Sequence, residues 1–135
     1  MIRAVLVGLG ILLIPFQVMA LEDNYVCEVN HVVQLADTGK LGKPISSYET
    51  LVGQPFLVNR TTGKLDGAVS WLKTSELERV TIISDGKNKN NFKSISVAQP
   101  PTSLATYLHI QEVGAEKIKP FYLATGELIF SGICK

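Results

Sequence analysis

The chain has 135 residues with thirteen basic and twelve acidic side chains, so its formal net charge is +1, and 46% of its residues are hydrophobic. This balance lacks the clustered positive charge that holds nucleic acid phosphates or an anionic membrane surface, so we expect neither as a partner. The length suits one domain with its own hydrophobic core.

The first twenty residues are predicted to be a cleaved export signal. Arg3 supplies a positive start, residues 4–14 form an unbroken apolar run, and residues 18–20 read Val-Met-Ala, with short side chains where a signal peptidase cuts. The apolar run is too short to span a bilayer, which needs about twenty residues. We therefore expect a single β-rich domain over residues 21–135, periplasmic or secreted, with no integral membrane segment.

Two cysteines, Cys27 and Cys134, lie near the two ends of that domain. Export would place them in a compartment where disulfides form and persist, so we predict that they form one structural bridge. They lack the Cys-x-x-Cys spacing of an exchange-active pair, and they are too few for a structural zinc site.

Short segments of alternating apolar and polar residues dominate the domain, which is typical of strands half buried in a sheet. In the clearest of them, residues 25–35, the alternation places Cys27 and His31 on the same inward face. We predict at least six strands, at residues 25–35, 55–60, 80–84, 91–98, 118–124 and 127–134.

Glycine turns separate these runs. A Thr-Gly-(Lys/Glu)-Leu sequence occurs at 38–41, 62–65 and 125–128, and glycine supplies the positive φ that a hairpin turn requires. The Asp-Gly pair at 85–86 predicts a further hairpin with an exposed loop after it. Residues 101–113 fit either a helix or a strand, and we favour the strand. Residues 74–78 have room for at most one or two helical turns.

The positions of the cysteines restrict the topology. A bridge between the first and the last strand requires those strands to be neighbours or to face each other across a core. Both a small closed antiparallel β-barrel and a two-sheet β-sandwich meet this requirement. We favour the disulfide-closed barrel, because consecutive short turns are typical of an up-and-down meander. The fold class is therefore predicted to be all-β, with one short helix at most.

Motifs for catalysis are missing from the sequence. It has no Gly-x-Ser-x-Gly, no His-Glu-x-x-His and no phosphate-binding glycine loop. His31 and His109 are the only histidines, and we expect His31 to be buried and hydrogen-bonded rather than catalytic. We predict no metal and no cofactor. The missing motifs favour a protein that is not an enzyme. The question stays open, because Glu28, Asp66, Glu112 or Glu127 could still pair as in a glycosidase.

Two surface features are candidates for binding a partner. One is the polar strip that contains Lys87, Lys89, Asn90 and Lys93, and the other is the region around Trp71. Lysines interspersed with asparagines would suit an acidic partner, although a solvated hairpin tip is the simpler interpretation.

The sequence Tyr-Val-Cys at residues 25–27, followed by a cysteine near the end, resembles the small exported β-barrel inhibitors of lysozyme in Gram-negative envelopes. The chain lacks their Ser-Gly-x-x-Tyr-type loop, so we assign no membership. The resemblance implies that a disulfide-closed barrel of this length can serve as an enzyme inhibitor.

Three functional hypotheses follow. We favour an exported, non-catalytic domain that binds another protein or an envelope component. The alternatives are a carrier that holds a small molecule inside the barrel, and a hydrolase with paired carboxylates. Self-association through an exposed sheet edge is a further option.

Overall fold

A computed structural model describes residues 23–69, 79–98, 104–114 and 117–135 of the chain. The predicted export signal, Trp71 and the predicted helical turns at 74–78 lie outside the described residues. No helix among the described residues is long and apolar enough to cross a membrane.

The described residues form mostly β-structure. In chain order, the elements are β1 (Asn24–Leu35), β2 (Leu41–Gly42), a one-turn helix α1 (Ser46–Glu49), β3 (Pro55–Asn59), β4 (Leu65–Gly67), β5 (Arg79–Asp85), β6 (Phe92–Val97), β7 (Ala105–Ile110), β8 (Lys119–Thr125) and β9 (Leu128–Cys134). All six predicted strands are present. Residues 101–113, which fit either a helix or a strand in the sequence, contain the strand β7, as we predicted.

These strands form one antiparallel sheet in the order β4-β3-β1-β9-β8-β7-β6-β5, and β2 pairs with the far end of β1. The sheet curls into a half-barrel with β4 and β5 as its two edges. The prediction of an all-β, barrel-like fold is therefore confirmed. The two-sheet sandwich is not the arrangement of the described strands.

The first and last strands are direct neighbours in this sheet. Cys27 of β1 pairs with Cys134 of β9, and a disulfide joins them across a Cα–Cα distance of 3.9 Å. This confirms the predicted bridge. Because it closes a loop across a sequence separation of 107, it stabilises the fold by about 4 to 5 kcal/mol in the chain-entropy view.

Alternating residues of the strands fill the inside of the half-barrel. The largest fully buried side chains include Tyr25, Phe56, Phe92 and Phe130. The rings of Phe56 and Phe121 pack edge to face at a centroid distance of 5.2 Å. Full burial of such side chains contributes about 1.5 to 3 kcal/mol each, so this interior is the main source of stability.

The prediction that His31 is buried is wrong, because a β-bulge interrupts β1. The pairing with β9 shifts between Val29 and His31, so Asn30 has no direct partner. One extra residue reverses the alternation, and β1 buries Tyr25, Cys27, Val29 and Val32 but exposes His31.

The glycine turns are confirmed. Gly39, Gly63 and Gly126 have φ values of 78°, 72° and 52°, in the left-handed region that glycine enters at little cost. The turn after β3 also packs against the opposite edge of the half-barrel. A Cβ on Gly63 would lie 3.1 Å from Cδ1 of Ile82 on β5, so the two edges approach each other there.

Candidate functional site

One end of the half-barrel collects the start of β1, the turn after β3, the β5–β6 turn, the β7–β8 loop and the end of β9. The register places them together, because Asn24 pairs with Asn59, Phe92 with Ile110, and Cys134 with both Cys27 and Lys119. We call this region the basic end.

Charge is unevenly distributed between the basic end and the rest of the protein. Among the described residues, the basic end carries seven basic side chains and three acidic ones, namely Arg60, Lys64, Lys87, Lys89, Lys117, Lys119 and Lys135 against Asp23, Asp85 and Glu112. The other described residues are nearly balanced, with four basic side chains, Lys40, Lys43, Arg79 and Lys93, against five acidic ones, Glu28, Asp37, Glu49, Asp66 and Glu127. The excess positive charge of the described residues therefore lies at one end.

Four side chains from different elements meet at the centre of the basic end, and we call them the Tyr25 cluster: Tyr25, Arg60, Glu112 and Lys119. The Tyr25 hydroxyl donates a 2.6 Å hydrogen bond to Oε1 of Glu112. Nη2 of Arg60 lies 3.6 Å from the same oxygen, and Nζ of Lys119 lies 3.4 Å from it. Three donors thus converge on one carboxylate oxygen.

Both cations also lie over the aromatic ring of Tyr25. Cζ of Arg60 is 4.7 Å and Nζ of Lys119 is 5.5 Å from the ring centroid. The negative face of the ring attracts cations at these distances, most strongly where water is excluded. The side chains of Arg60, Lys119 and Glu112 are 21%, 18% and 15% exposed, so water screens their charges only in part.

Arg60 is fixed by the backbone of two neighbouring turns. Its amide N–H donates to the carbonyl of Asp23, and its Nη2 donates to the carbonyl of Gly86 at 3.1 Å. Gly86 has a φ of 74°, and a Cβ there would collide with the Tyr25 hydroxyl. A residue with a side chain would therefore push the β5–β6 turn away from the Tyr25 cluster.

The loop that carries Glu112 is held by Asn91. Oδ1 of Asn91 accepts hydrogen bonds from the amide N–H groups of Glu112 and Val113, both at 2.9 Å. This contact joins the β5–β6 turn to the β7–β8 loop. The two loops of the basic end are therefore fixed relative to each other.

Burial raises the pKa of Tyr25 well above its ordinary value of 10.0, and the hydrogen bond to Glu112 adds to the effect. The positive charge of Arg60 opposes it but is the smaller influence. Tyr25 is therefore a neutral hydrogen-bond donor at physiological pH.

The predicted polar strip divides into two parts. Lys87, Lys89 and Asn90 are exposed in the β5–β6 turn, where Lys89 has a positive φ of 64°. Lys93 instead lies on the outer face of β6, directly opposite His109 of β7. The first part belongs to the basic end and Lys93 does not.

The outer face of the sheet carries a row of paired residues that continues from Lys93 and His109 through Tyr122 and Ser131 to His31. The His109 ring stacks on Tyr122 with a centroid distance of 5.1 Å and an interplanar angle of 8°. Burial lowers the pKa of His109 below its ordinary value of 6.5, and the charge of Lys93 lowers it further.

No group of three or more His, Cys, Asp or Glu residues that could hold a metal ion occurs in the described part of the chain. A shallow surface groove of about 290 Å³ lies on the opposite end of the sheet from the basic end and is lined largely by polar and charged residues, among them Gln34, Asp37, Lys43 and Glu127. It is on the surface and is not an apolar cavity inside the half-barrel.

The sequence analysis singled out Glu112 only as one of several carboxylates, and it missed Tyr25, Arg60 and Lys119 as members of a site. Apart from the ion pair between Lys119 and Glu112, their contacts join residues 26 to 94 positions apart. No local spacing reports such contacts. A count of charge in the predicted turns would have indicated only the positive β5–β6 turn, which contains Lys87 and Lys89 and no acidic residue between 86 and 91.

Comparisons of the chain with protein-family models, with curated proteins and with solved structures found no match. The disulfide indicates an oxidising environment outside the cytoplasm.

Proposed function

We propose that this chain is a non-catalytic binding domain, working in the periplasm or outside the cell, whose basic end contacts an acidic surface of another protein. The observation that carries the proposal is the separation of charge. Seven basic side chains against three acidic ones occupy one end, and the remaining described charges nearly balance, with four basic against five acidic. Complementary charge steers association and selects partners.

Two features suit the basic end to binding. Three of its exposed lysines, Lys87, Lys89 and Lys117, lie in loops, which is where proteins most often carry binding residues. The loops are also held in place, by Asn91 between them and by the disulfide at the end of β9. A loop that is ordered before it binds loses less conformational entropy on association.

A protein suits this environment better than nucleic acid does, because the disulfide indicates a compartment outside the cytoplasm. The carrier and hydrolase hypotheses receive less support. Bulky apolar side chains occupy the described interior, and the carboxylate of Glu112 contacts two cations and a phenol hydroxyl.

The test begins with a photo-crosslinking amino acid at Asn88, between Lys87 and Lys89, in the native host. The crosslinked product is identified by mass spectrometry, and the partner is then purified for binding measurements. We expect an acidic protein whose affinity falls as salt concentration rises. A polysaccharide in the crosslinked product would contradict the proposal.

A matched pair of variants makes the test specific. The triple variant Lys87→Glu, Lys89→Glu and Lys117→Glu reverses charge at the basic end. The control Lys40→Glu, Lys43→Glu and Arg79→Glu makes the same change at exposed basic residues elsewhere. We expect the first to weaken binding by at least a hundredfold, because each charge pair is worth up to about 1 kcal/mol and each reversal adds repulsion. Equal losses in the two variants would overturn the proposal.

A further inference from the structure

Two aliphatic side chains are exposed in the β7–β8 loop of the basic end. Val113 is 49% exposed and Ile118 is 55% exposed. Single exposed hydrophobic residues are common on protein surfaces and need no explanation. These two, however, share one loop with the exposed Lys117, at the end of the half-barrel that carries the excess positive charge. They therefore lie within the surface that we propose contacts an acidic protein.

The two residues occupy equivalent positions on the two sides of the loop. The amide N–H of Gln111 donates a 2.8 Å hydrogen bond to the carbonyl of Pro120, which closes the base of the loop. Val113 comes two residues after Gln111, and Ile118 comes two residues before Pro120. An ion pair of the Tyr25 cluster also spans the loop between them and its base, at 3.4 Å. Both aliphatic side chains therefore lie beyond the closed base, towards the tip.

The backbone at Val113 is ordered without a partner. Its amide N–H donates a 2.9 Å hydrogen bond to Oδ1 of Asn91, and its carbonyl accepts a 3.1 Å hydrogen bond from Nε2 of Gln111. Both backbone polar groups are thus bonded, while about half of the side chain faces solvent. The β-branched side chains of Val113 and Ile118 are also stiff at χ1. Ordered groups of this kind lose little conformational entropy when they bind.

We infer that Val113 and Ile118 are the apolar anchors of the basic end, and that the acidic partner has an apolar recess for them, bordered by its carboxylates. Protein interfaces bury apolar residues at the centre and place charged residues at the rim. A surface that pairs with Lys117 necessarily approaches the neighbouring Ile118. The inference rests on the proposed function and adds the apolar part of the partner's surface to it.

An anionic lipid bilayer is the other surface that takes up lysines together with aliphatic side chains. Two observations favour a protein. Residues 111–119 contain no tryptophan or tyrosine, the residues that most often anchor a loop at a membrane interface. Three carboxylates, those of Asp23, Asp85 and Glu112, also lie at the basic end. A uniformly negative bilayer repels them, whereas a protein surface can match individual charges of both signs.

The test uses the acidic partner isolated through the crosslink at Asn88. The disulfide-bonded protein is deuterated except at its valine and isoleucine methyl groups, and the partner's proton resonances are saturated in an NMR experiment. Methyl groups that touch the partner lose intensity. We expect losses at Val113 and Ile118, and none at Val52 and Ile45, which are similarly exposed, at 46% and 58%, outside the basic end. Unchanged intensities at Val113 and Ile118 would overturn the inference.

A matched pair of double variants measures the contribution of the anchors to affinity. Val113→Ser with Ile118→Ser should weaken binding about thirtyfold, because about half of each apolar side chain remains to be buried by the partner. Val52→Ser with Ile45→Ser removes the same residue types elsewhere and should leave the affinity unchanged. Equal effects of the two double variants would show that the β7–β8 loop supplies no anchor.

Salt dependence separates the anchors from the lysines. The double variant at Val113 and Ile118 should dissociate faster but keep the wild-type dependence of affinity on salt, since it removes no charge. The triple variant at Lys87, Lys89 and Lys117 should lose most of that dependence. If the serine substitutions abolish the salt dependence as well, they act by displacing the lysines, and the inference is wrong.

Vesicles of phosphatidylcholine and phosphatidylglycerol test the lipid alternative. We expect the protein not to sediment with them at physiological salt concentration. Sedimentation that the serine double variant loses would assign the anchors to lipid and overturn the inference. The proposed function fails separately: it fails if the crosslink at Asn88 yields no acidic protein, and the inference then fails with it. An acidic partner that binds the serine double variant as tightly as the wild type removes only the anchors.

Discussion

The hydroxyl of Tyr25 donates a 2.6 Å hydrogen bond to Oε1 of Glu112, a residue 87 positions further along the chain. Tyr25 is on β1 in the middle of the sheet, and Glu112 is in the loop between β7 and β8. Oε1 of Glu112 is also the oxygen that Arg60 and Lys119 approach. This bond therefore ties the basic end to the core.

Replacing Tyr25 by phenylalanine should lower the free energy of unfolding by about 1.5 to 3 kcal/mol, because a hydrogen bond to a charged acceptor is lost from a partly buried site. Chemical denaturation measures this loss. In a double-mutant cycle with Glu112→Gln, we expect a coupling energy of at least 0.5 kcal/mol. Additive effects of the two substitutions would contradict direct coupling between Tyr25 and Glu112.

Gly86→Ala and Gly39→Ala form a matched pair of substitutions. Both glycines have positive φ values, 74° and 78°, but a Cβ on Gly39 has no atom within 4 Å. A Cβ on Gly86 would collide with the Tyr25 hydroxyl and lie 3.1 Å from Cβ of Phe92. We expect Gly39→Ala to cost about 1 kcal/mol and Gly86→Ala to cost about 1 to 3 kcal/mol more, by thermal or chemical denaturation. Equal costs would show that the β5–β6 turn moves aside freely.

Local patterns in the sequence predict much of this fold. Alternation predicts the strands because each one buries a single face, and the Thr-Gly turns predict the hairpins because only glycine reaches their φ values cheaply. The cysteines add a long-range restraint that places β1 beside β9. These signals suffice to predict a barrel-like sheet. They do not predict that β3 pairs with the free side of β1 and that β4 follows it at the edge of the sheet.

His31 shows where local patterns fail. The bulge at Asn30 depends on Gly132 of β9, about a hundred residues away, since a Cβ there would collide with the Glu28 carbonyl and lie 3.0 Å from the Asn30 nitrogen. No residue near His31 in the sequence indicates that the β1 backbone lies this close to Gly132. The Tyr25 cluster is hidden for the same reason, because it is assembled from separate turns and strands.

The disulfide should resist reduction until the protein unfolds, because Cys27 and Cys134 are 1% and 0% exposed. We expect a reductant alone to leave the bond intact for hours, and a reductant with denaturant to break it quickly. Free thiols can be counted by alkylation and mass spectrometry.

The double substitution Cys27→Ala and Cys134→Ala should lower the free energy of unfolding by about 4 kcal/mol, since the unfolded chain regains the freedom of a long loop. It avoids the unpaired thiol that either single substitution would leave. A reductant should then have no further effect on its melting temperature. An unchanged melting temperature in the double variant would mean that the bridge contributes little to stability.

His109 should make the protein less stable as the pH falls below about 6.5. Its pKa is lowered in the folded state, first by burial and then by the charge of Lys93, whereas in the unfolded chain it returns to about 6.5. Between the lowered pKa and 6.5 the unfolded state binds more protons, so protonation favours unfolding. The contribution of His109 is therefore complete above pH 6.5 and is lost as the pH falls towards its folded-state pKa.

The measurement compares the free energy of unfolding at pH 7.5 and at successively lower pH values for the wild type and for His109→Gln. The difference in the free energy of unfolding between the two proteins at each pH isolates the contribution of His109, because the acidic residues are the same in both. Lys93→Met should give an intermediate pH dependence, because it removes the smaller of the two causes and leaves burial in place. If His109→Gln follows the wild-type pH profile throughout, burial and the charge of Lys93 do not disfavour the charged imidazole.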